Sequence, residues 1–108
     1  MMELPAPVRE AVDAANSGDT DAFLATFTPA TGFVTDWGRE YHGVDAIRQW
    51  SDEQFIGQNV RISVIFAYAS EEGDVVVIAQ IRRDEFDGPC TYTFRIKHDT
   101  LAMMSVLA

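Results

Sequence analysis

The periodicity of the apolar residues changes along the chain, and this change is the strongest constraint on its fold. Near the start, Val8, Ala11, Val12 and Ala15 recur at the spacing of one helix face. Residues 90–97 instead alternate strictly between apolar and polar types, as a strand does. Helices gathered early and antiparallel strands gathered late predict an α+β fold rather than repeated βαβ units.

Local signals divide the first half into three helices and a short hairpin. Gly18 is the predicted end of the first helix, and Asp19 is predicted to cap a second one. A third helix is predicted from Val44 to about Phe55. Between the second and third helices, the run FVTD (residues 33–36) and the segment after it predict two short strands joined by a reversal.

Four longer strands are predicted in the second half of the chain. Residues 75–81 are almost wholly apolar, so we expect a central strand covered on both faces. In the strand before it, one face is expected to carry Ile62, Val64, Phe66 and Tyr68. A long twisted sheet curls around the helices and leaves a hollow between the two layers, and such hollows are common ligand sites.

Size and charge narrow the choice of partners. A chain of 108 residues fits a single domain spanning residues 1–108. The formal net charge of -9 repels phosphate backbones and anionic lipids, so we expect no nucleic acid and no membrane as partners. The start of the chain does not resemble a signal peptide, and no apolar stretch approaches the ~20 residues of a membrane span. With a single cysteine, these features predict a cytoplasmic protein.

Neither metal nor nucleotide chemistry is indicated. Cys90 is the sole cysteine, and His42 and His98 do not stand at a metal-ligand spacing. No glycine-rich run joins a strand to a helix, as it does in phosphate-binding loops. We therefore expect no cofactor and no metal site.

Four motifs follow one another along the chain: NSGDTDA (residues 16–22), FVTD (33–36), GREYHGVDAIRQW (38–50) and YTFRI (92–96). In this order and at this length they resemble the SnoaL-like branch of the nuclear-transport-factor-2-like superfamily. The resemblance implies a cone-shaped, curved, mixed or antiparallel sheet wrapped around three helices, with an internal pocket and usually a dimer. It does not imply one chemistry, because the superfamily includes ketosteroid isomerases, polyketide cyclases, epoxide hydrolases and dehydratases.

Asp36 is the first candidate catalytic residue. The FVTD run resembles the segment in which ketosteroid isomerases place their proton-transferring carboxylate, and an apolar pocket makes a carboxylate a stronger base. The alternative is that Asp36 starts the turn before Trp37. The isomerases also use an oxyanion hole made by a Tyr and a protonated Asp, whose positions match Ala11 and Tyr92. Half of that hole is absent, and Tyr92 is predicted as the hydrogen-bond donor beside Asp36.

A second candidate constellation is Arg82 with Asp84, which are two residues apart and would share a strand face. Limonene-epoxide-hydrolase-like members carry a similar Arg-x-Asp, whose acid protonates the epoxide, and a second Asp near the chain end that activates water. The last strand of this chain contains no acid, so the resemblance covers half of that site. The alternative is a solvated strand end.

The other pocket candidates carry aromatic or imidazole rings. His42 could approach Asp36 across the hairpin as an acid–base partner, or be a partly exposed loop residue. Cys90 is expected to be a small buried hydrophobe. The aromatic residues predicted at the pocket would suit a hydrophobic ligand, and they are Tyr41, Trp50, Phe55 and Phe94.

Two main functions follow, and whether the chain is an enzyme stays open. One is a cofactor-independent isomerase or cyclase acting on a small hydrophobic carbonyl or polyketide-like compound, with Asp36 as the acid or base. The alternative is a non-catalytic small-ligand-binding or dimeric accessory module, and epoxide hydrolysis ranks below both. We expect a small hydrophobic ligand and a homodimer, because an open sheet face with apolar residues such as Ile65 needs cover.

Overall fold

The helices form where the periodicity predicted them. The computed structural model describes residues 2–107, and its helices are α1 (Ala6–Ser17), α2 (Thr20–Ala25) and α3 (Val44–Gln54). Gly18 ends α1 in the left-handed conformation, and the Asp19 carboxylate caps α2. A short 3-10 turn, Ile56–Gln58, follows α3. Within residues 2–107, no helix is long and apolar enough to cross a bilayer.

Six strands form one curved, unclosed sheet in the order β2-β1-β6-β5-β4-β3. Strand β1 is parallel to its neighbour β6, and all other neighbouring strands in the sheet are antiparallel. The predicted α+β class with three helices is therefore confirmed. The strands are β1 (Phe33–Asp36), β2 (Arg39–His42), β3 (Arg61–Ala69), β4 (Val75–Arg83), β5 (Phe86–Lys97) and β6 (Thr100–Leu107).

One face of the sheet packs against the helices and forms the core with them. Along β4, every second residue from Val75 to Ile81 belongs to this core, together with helix residues such as Val8 and Ile47. The helices cover this one face of β4, and cover of its second face stays a prediction, since Val76 there is 9% exposed. The residues between the core positions, Val76 and Ile78, point to the outer face of the sheet, away from the helices.

A β-bulge changes the predicted faces of β3. The register with β4 shifts between Val64 and Phe66, so that Ile65 has no partner. Ile62 and Val64 lie on the helix side as predicted, whereas Phe66 and Tyr68 move to the outer face. The expectation that all four share one face is therefore wrong, because one extra residue reverses the alternation after it.

The side chain of Asn16 joins α1 to the edge strand β3. Its Nδ2 donates to the Ile62 carbonyl at 3.0 Å, and its Oδ1 accepts from the Ile62 backbone N–H at 2.6 Å. The amide thus takes the place of a neighbouring strand at the sheet edge and holds the helix against it.

Aromatic rings fill most of the space between sheet and helices. Phe55 is at the centre, with ring centroids 5.0 Å from Trp50, 5.2 Å from Phe23 and 6.1 Å from Tyr92. Phe94 packs on Tyr92 at 6.3 Å. All five side chains are at most 3% exposed, and we call them the aromatic cluster. The hollow that a twisted sheet leaves is therefore largely occupied by the protein's own side chains.

Candidate functional site

A small cavity remains beside the aromatic cluster, and a wider depression lies at its mouth. The cavity, called the chamber, has a volume of about 40 Å³, and the depression, called the vestibule, about 430 Å³. The chamber holds only a few water molecules, whereas the vestibule is in the size range of small-ligand sites. The residues that line both spaces form the boundary between them, and they are Asp36, Trp37, Gln54 and Arg83.

Asp36 stands at this boundary, at the end of β1. It pairs with Val106 of β6 and lies on the helix side of the sheet, half-buried. The carboxylate Oδ2 accepts a hydrogen bond from the indole Nε1 of Trp50 at 2.9 Å. Among the described residues, no Lys, Arg or His nitrogen pairs with it within 4.0 Å. One oxygen is thus held in place, and Oδ1 is left to a ligand or solvent.

Trp50 connects this carboxylate to the protein interior. The indole is 1% exposed, stacks on Phe55 and packs near Tyr41 with ring centroids 6.3 Å apart. A buried indole N–H needs an acceptor, and Asp36 supplies it. Burial of the ring therefore sets the position of the carboxylate.

Tyr92 lies on β5, where its side chain lines the chamber and is 1% exposed. Burial raises the pKa of its hydroxyl well above the ordinary value of 10.0, so the group stays neutral and can donate a hydrogen bond. Cys90, two residues earlier on the same strand, also lines the chamber. Burial also raises the pKa of the Cys90 thiol, which keeps it protonated and a poor nucleophile.

Arg83 also lines both spaces, although the sequence pattern pointed to its neighbour Arg82. Its Nη1 donates to the Gln54 carbonyl at 3.1 Å, and its guanidinium lies over the Phe86 ring at 5.2 Å. Its Nε is buried and has no hydrogen-bond partner within the described residues. A signal for Arg83 was present, since every second residue from Val75 onward faces the helices and this alternation reaches position 83.

The prediction that Arg82 and Asp84 share a strand face is wrong. Arg82 points to the outer face and pairs with Asp87 at 3.5 Å, whereas β4 ends at Arg83 and leaves Asp84 in the following turn. There Asp84 accepts from Asn59 Nδ2 at 3.2 Å. Neither residue lines the chamber or the vestibule, so the Arg-x-Asp arrangement of an epoxide-hydrolase-like site is not formed.

His42 does not approach Asp36. It pairs with Phe33 on β1, stacks on that ring at 4.7 Å and hydrogen-bonds Glu40 at 2.7 Å. Since Phe33 and Asp36 are three residues apart on one strand, His42 lies on the opposite face of the sheet from Asp36. No group of three His, Cys, Asp or Glu side chains suited to a metal ion occurs within residues 2–107.

The aromatic candidates are divided between the two spaces and the core. Trp50 and Phe55 line the chamber, and Tyr41 lines the vestibule. Phe94 lies deeper, in the aromatic cluster, and lines neither space. Trp37 was not among the predicted pocket residues, and its side chain is 65% exposed at the mouth of the chamber. Its backbone has a positive φ of 51°.

Comparison with known proteins supports the fold. No protein-family model matches the sequence, and no curated protein matches it. Among solved structures, a proposed polyketide cyclase from Sinorhizobium meliloti is 27% identical with a TM-score of 0.84, covering 96% of this chain and 95% of that one. An NTF2-like protein of unknown function from Cytophaga hutchinsonii is 11% identical with a TM-score of 0.79, covering 99% and 91%. A computationally designed 17-OHP binder is 12% identical with a TM-score of 0.80, covering 95% and 88%.

These similarities assign the fold to a class. The chain has the fold of nuclear-transport-factor-2-like proteins, which are cone-shaped. Within it, the likeness to the proposed polyketide cyclase agrees with the SnoaL-like branch that the motifs indicated.

A double-mutant cycle measures how strongly Trp50 holds Asp36. We expect Trp50→Phe and Asp36→Ala to be coupled by about 1.5–3 kcal/mol in the free energy of unfolding, because the hydrogen bond involves a carboxylate and a buried donor. Urea unfolding of the four proteins measures it. Additive single-mutant effects would show that the bond contributes nothing to stability.

The raised pKa of Tyr92 predicts a loss of stability in alkali. Above its ordinary pKa of 10.0 the unfolded chain releases this proton and the folded chain keeps it, so the free energy of unfolding falls as pH rises. The slope due to this group approaches about 1.4 kcal/mol per pH unit. Tyr92→Phe should lack that component, while Tyr68→Phe, altered at a half-exposed tyrosine, should keep it. Equal slopes in both variants would contradict the prediction.

Proposed function

We propose that this chain binds a small hydrophobic carbonyl or polyketide-like compound at the vestibule and moves a proton on it with Asp36. The reaction would be an isomerisation or a cyclisation that needs no cofactor. The observation that carries the proposal is the Trp50–Asp36 hydrogen bond of 2.9 Å at the boundary of a cavity that Tyr92 also lines. This arrangement supports an Asp36 carboxylate held in one orientation, with its Oδ1 left for a substrate and the neutral Tyr92 hydroxyl in the same cavity.

The chemistry follows from these two groups. Oδ1 of Asp36 would take a proton from the carbon next to the substrate carbonyl, and the electron pair would move onto the carbonyl oxygen to form an enolate. The Tyr92 hydroxyl would donate a hydrogen bond to that oxygen. Protonated Asp36 then returns the proton to another carbon, which isomerises the substrate, or to the alkoxide formed when the enolate attacks a second carbonyl.

The size of the chamber sets where the substrate would lie. At about 40 Å³ it accepts little more than a carbonyl group, while the vestibule of about 430 Å³ can take the body of a small molecule. The substrate would therefore enter with its carbonyl toward Tyr92 and its apolar body against Trp37 and Tyr41. The likeness to the proposed polyketide cyclase, at 27% identity, supports this class of compound.

A non-catalytic small-ligand-binding module is the second candidate. The tight aromatic cluster and the small chamber favour it, since they leave little enclosed space in which to exclude water from a reaction. The designed 17-OHP binder, whose fold is alike, supports binding without a reaction as one use of this architecture. The two candidates differ in whether Asp36 changes the rate of a reaction.

Exchange of carbon-bound protons tests the catalytic proposal. We expect the protein to speed deuterium exchange and double-bond migration in small cyclic unsaturated ketones and 1,3-diketones. Asp36→Asn should lower that rate by about 10²–10⁴-fold, because the proton acceptor is lost. Nuclear magnetic resonance in D₂O measures the rate.

The control is Asp13→Asn, an exposed aspartate of α1, which should exchange at the wild-type rate. If the wild type is no faster than buffer, or if Asp36→Asn matches it, the catalytic proposal fails. Ligand binding that survives in Asp36→Asn would then support the binding module.

We further propose that the chain forms a homodimer through the outer face of the sheet. Phe66 and Tyr68 are each 44% exposed there, and Leu107 is 50% exposed. The register places Phe66, Ile78, Thr91 and Leu107 in one row across β3, β4, β5 and β6. The apolar side chains of this row flank a threonine, and large exposed apolar side chains on an open sheet face support a self-complementary interface.

A charge placed on this face should separate the protomers. We expect wild-type protein to elute as a dimer and Phe66→Glu to elute as a monomer in size-exclusion chromatography with light scattering, because two carboxylates would be buried in one interface. Val44→Glu, which changes an exposed apolar residue at the start of α3, should stay dimeric. A monomeric wild type would refute the proposal.

A further inference from the structure

Two arginines lie in the vestibule without an acidic partner. Arg39 and Arg83 both line it, and among the described residues neither has a carboxylate within 4.0 Å. Three other arginines do pair with aspartates, in the pairs Arg48–Asp21, Arg82–Asp87 and Arg95–Asp74. Arg9 and Arg61 also lack a carboxylate partner among the described residues, but they lie outside the vestibule, whereas Arg39 and Arg83 share this one depression.

The vestibule is locally positive in a strongly negative protein. Asp36 is the one acid among its lining residues, against the two arginines, whereas the whole chain has a net charge of -9. At contact distance the two guanidinium groups outweigh the one carboxylate, so the vestibule favours a small anion although the net charge of the chain repels large polyanions.

Arg83 is the better placed of the two to hold a ligand. Its Nη1 is fixed by the Gln54 carbonyl and its guanidinium plane by the Phe86 ring, while its buried Nε has no partner among the described residues. The Nη2 of Arg83 makes no hydrogen bond to the described residues and is left to donate a charge-assisted hydrogen bond to a ligand oxygen. A carboxylate matches the fork of a guanidinium, with two oxygens for two N–H groups.

We propose that the ligand of this site is a small carboxylic acid with a planar apolar body. Its carboxylate lies on Arg83 with Arg39 at the rim, and its apolar body lies against Trp37 and Tyr41. The inference rests on the proposed function because it uses the same site. It adds the class of substrate, a carboxylic acid that also carries a separate carbonyl group within reach of Asp36. Since Asp36 and Arg83 line the site without forming an ion pair, both are free to act on one molecule.

Binding of two matched probes tests this inference. Phenylacetate and phenylacetamide have nearly the same shape and differ in charge, and both tryptophans of the chain, Trp37 and Trp50, line the chamber and so report on binding by their fluorescence. We expect phenylacetate to bind at least about tenfold more tightly than the amide, as a charge-assisted hydrogen bond implies. Arg83→Met should remove that preference, and Arg83→Lys should keep part of it.

The matched control is Arg61→Met. Arg61 is exposed outside the vestibule and, like Arg83, donates its Nη1 to a backbone carbonyl, that of Val60 at 3.0 Å. Its loss changes the net charge by the same amount and should leave the preference for phenylacetate unchanged. If Arg83 only stabilised the end of α3 through the Gln54 carbonyl, Arg83→Met would have a lower melting temperature and would still prefer phenylacetate.

Three outcomes overturn the inference. They are equal affinity of the wild type for the two probes, a preserved preference in Arg83→Met, and no binding of either probe up to about 10 mM. Asp36→Asn separates it from the catalytic proposal, since removing a like charge should leave phenylacetate binding unchanged or tighter while proton exchange is lost. If the wild-type protein prefers phenylacetate but does not speed exchange of carbon-bound protons in the ketones, the catalytic proposal fails and the carboxylate-binding inference stands.

Discussion

The hydrogen bond between the Trp50 indole and the Asp36 carboxylate links the core of this protein to its candidate site. Trp50 is part of an aromatic cluster that also includes Phe23, Phe55 and Tyr92, so its ring cannot turn without disturbing the interior. The carboxylate therefore takes its position from core packing rather than from a flexible loop. A site arranged in this way is held ready before any ligand arrives.

The same packing determines where a ligand can bind. Because aromatic rings occupy the hollow between sheet and helices, the enclosed chamber is only about 40 Å³ and the larger space lies outside it. The boundary between them combines a carboxylate, an unpaired guanidinium and an exposed indole, namely Asp36, Arg83 and Trp37. Chemistry at this site would take place at the mouth of the cone, with Tyr92 as its floor.

Several features were predictable from local rules, and the errors share one cause. The helix boundaries at Gly18 and Asp19 and the α+β class followed from spacing and residue type, and Asp36, Tyr92, Trp50 and Phe55 were candidates whose meeting at one cavity only the structure shows. The errors concern which face a strand residue occupies. One strand end before Asp84 and one bulge at Ile65 were enough to misplace the side chains beyond them. Side-chain direction reverses with every residue, so a small error in strand boundary reverses the assignment.

The amino-acid sequence by itself determined the order of helices and strands, the aromatic content of the interior and the carboxylate at the end of β1. These depend on periodicity and residue type, which act over a few neighbouring residues. Only the tertiary structure decided that β4 continues as far as Arg83 and so brings that side chain to the cavity, that His42 lies on the opposite face of the sheet, and that Trp50 binds Asp36. Those contacts join residues that are distant in the chain, and they depend on strand register and on how tightly the rings pack in three dimensions.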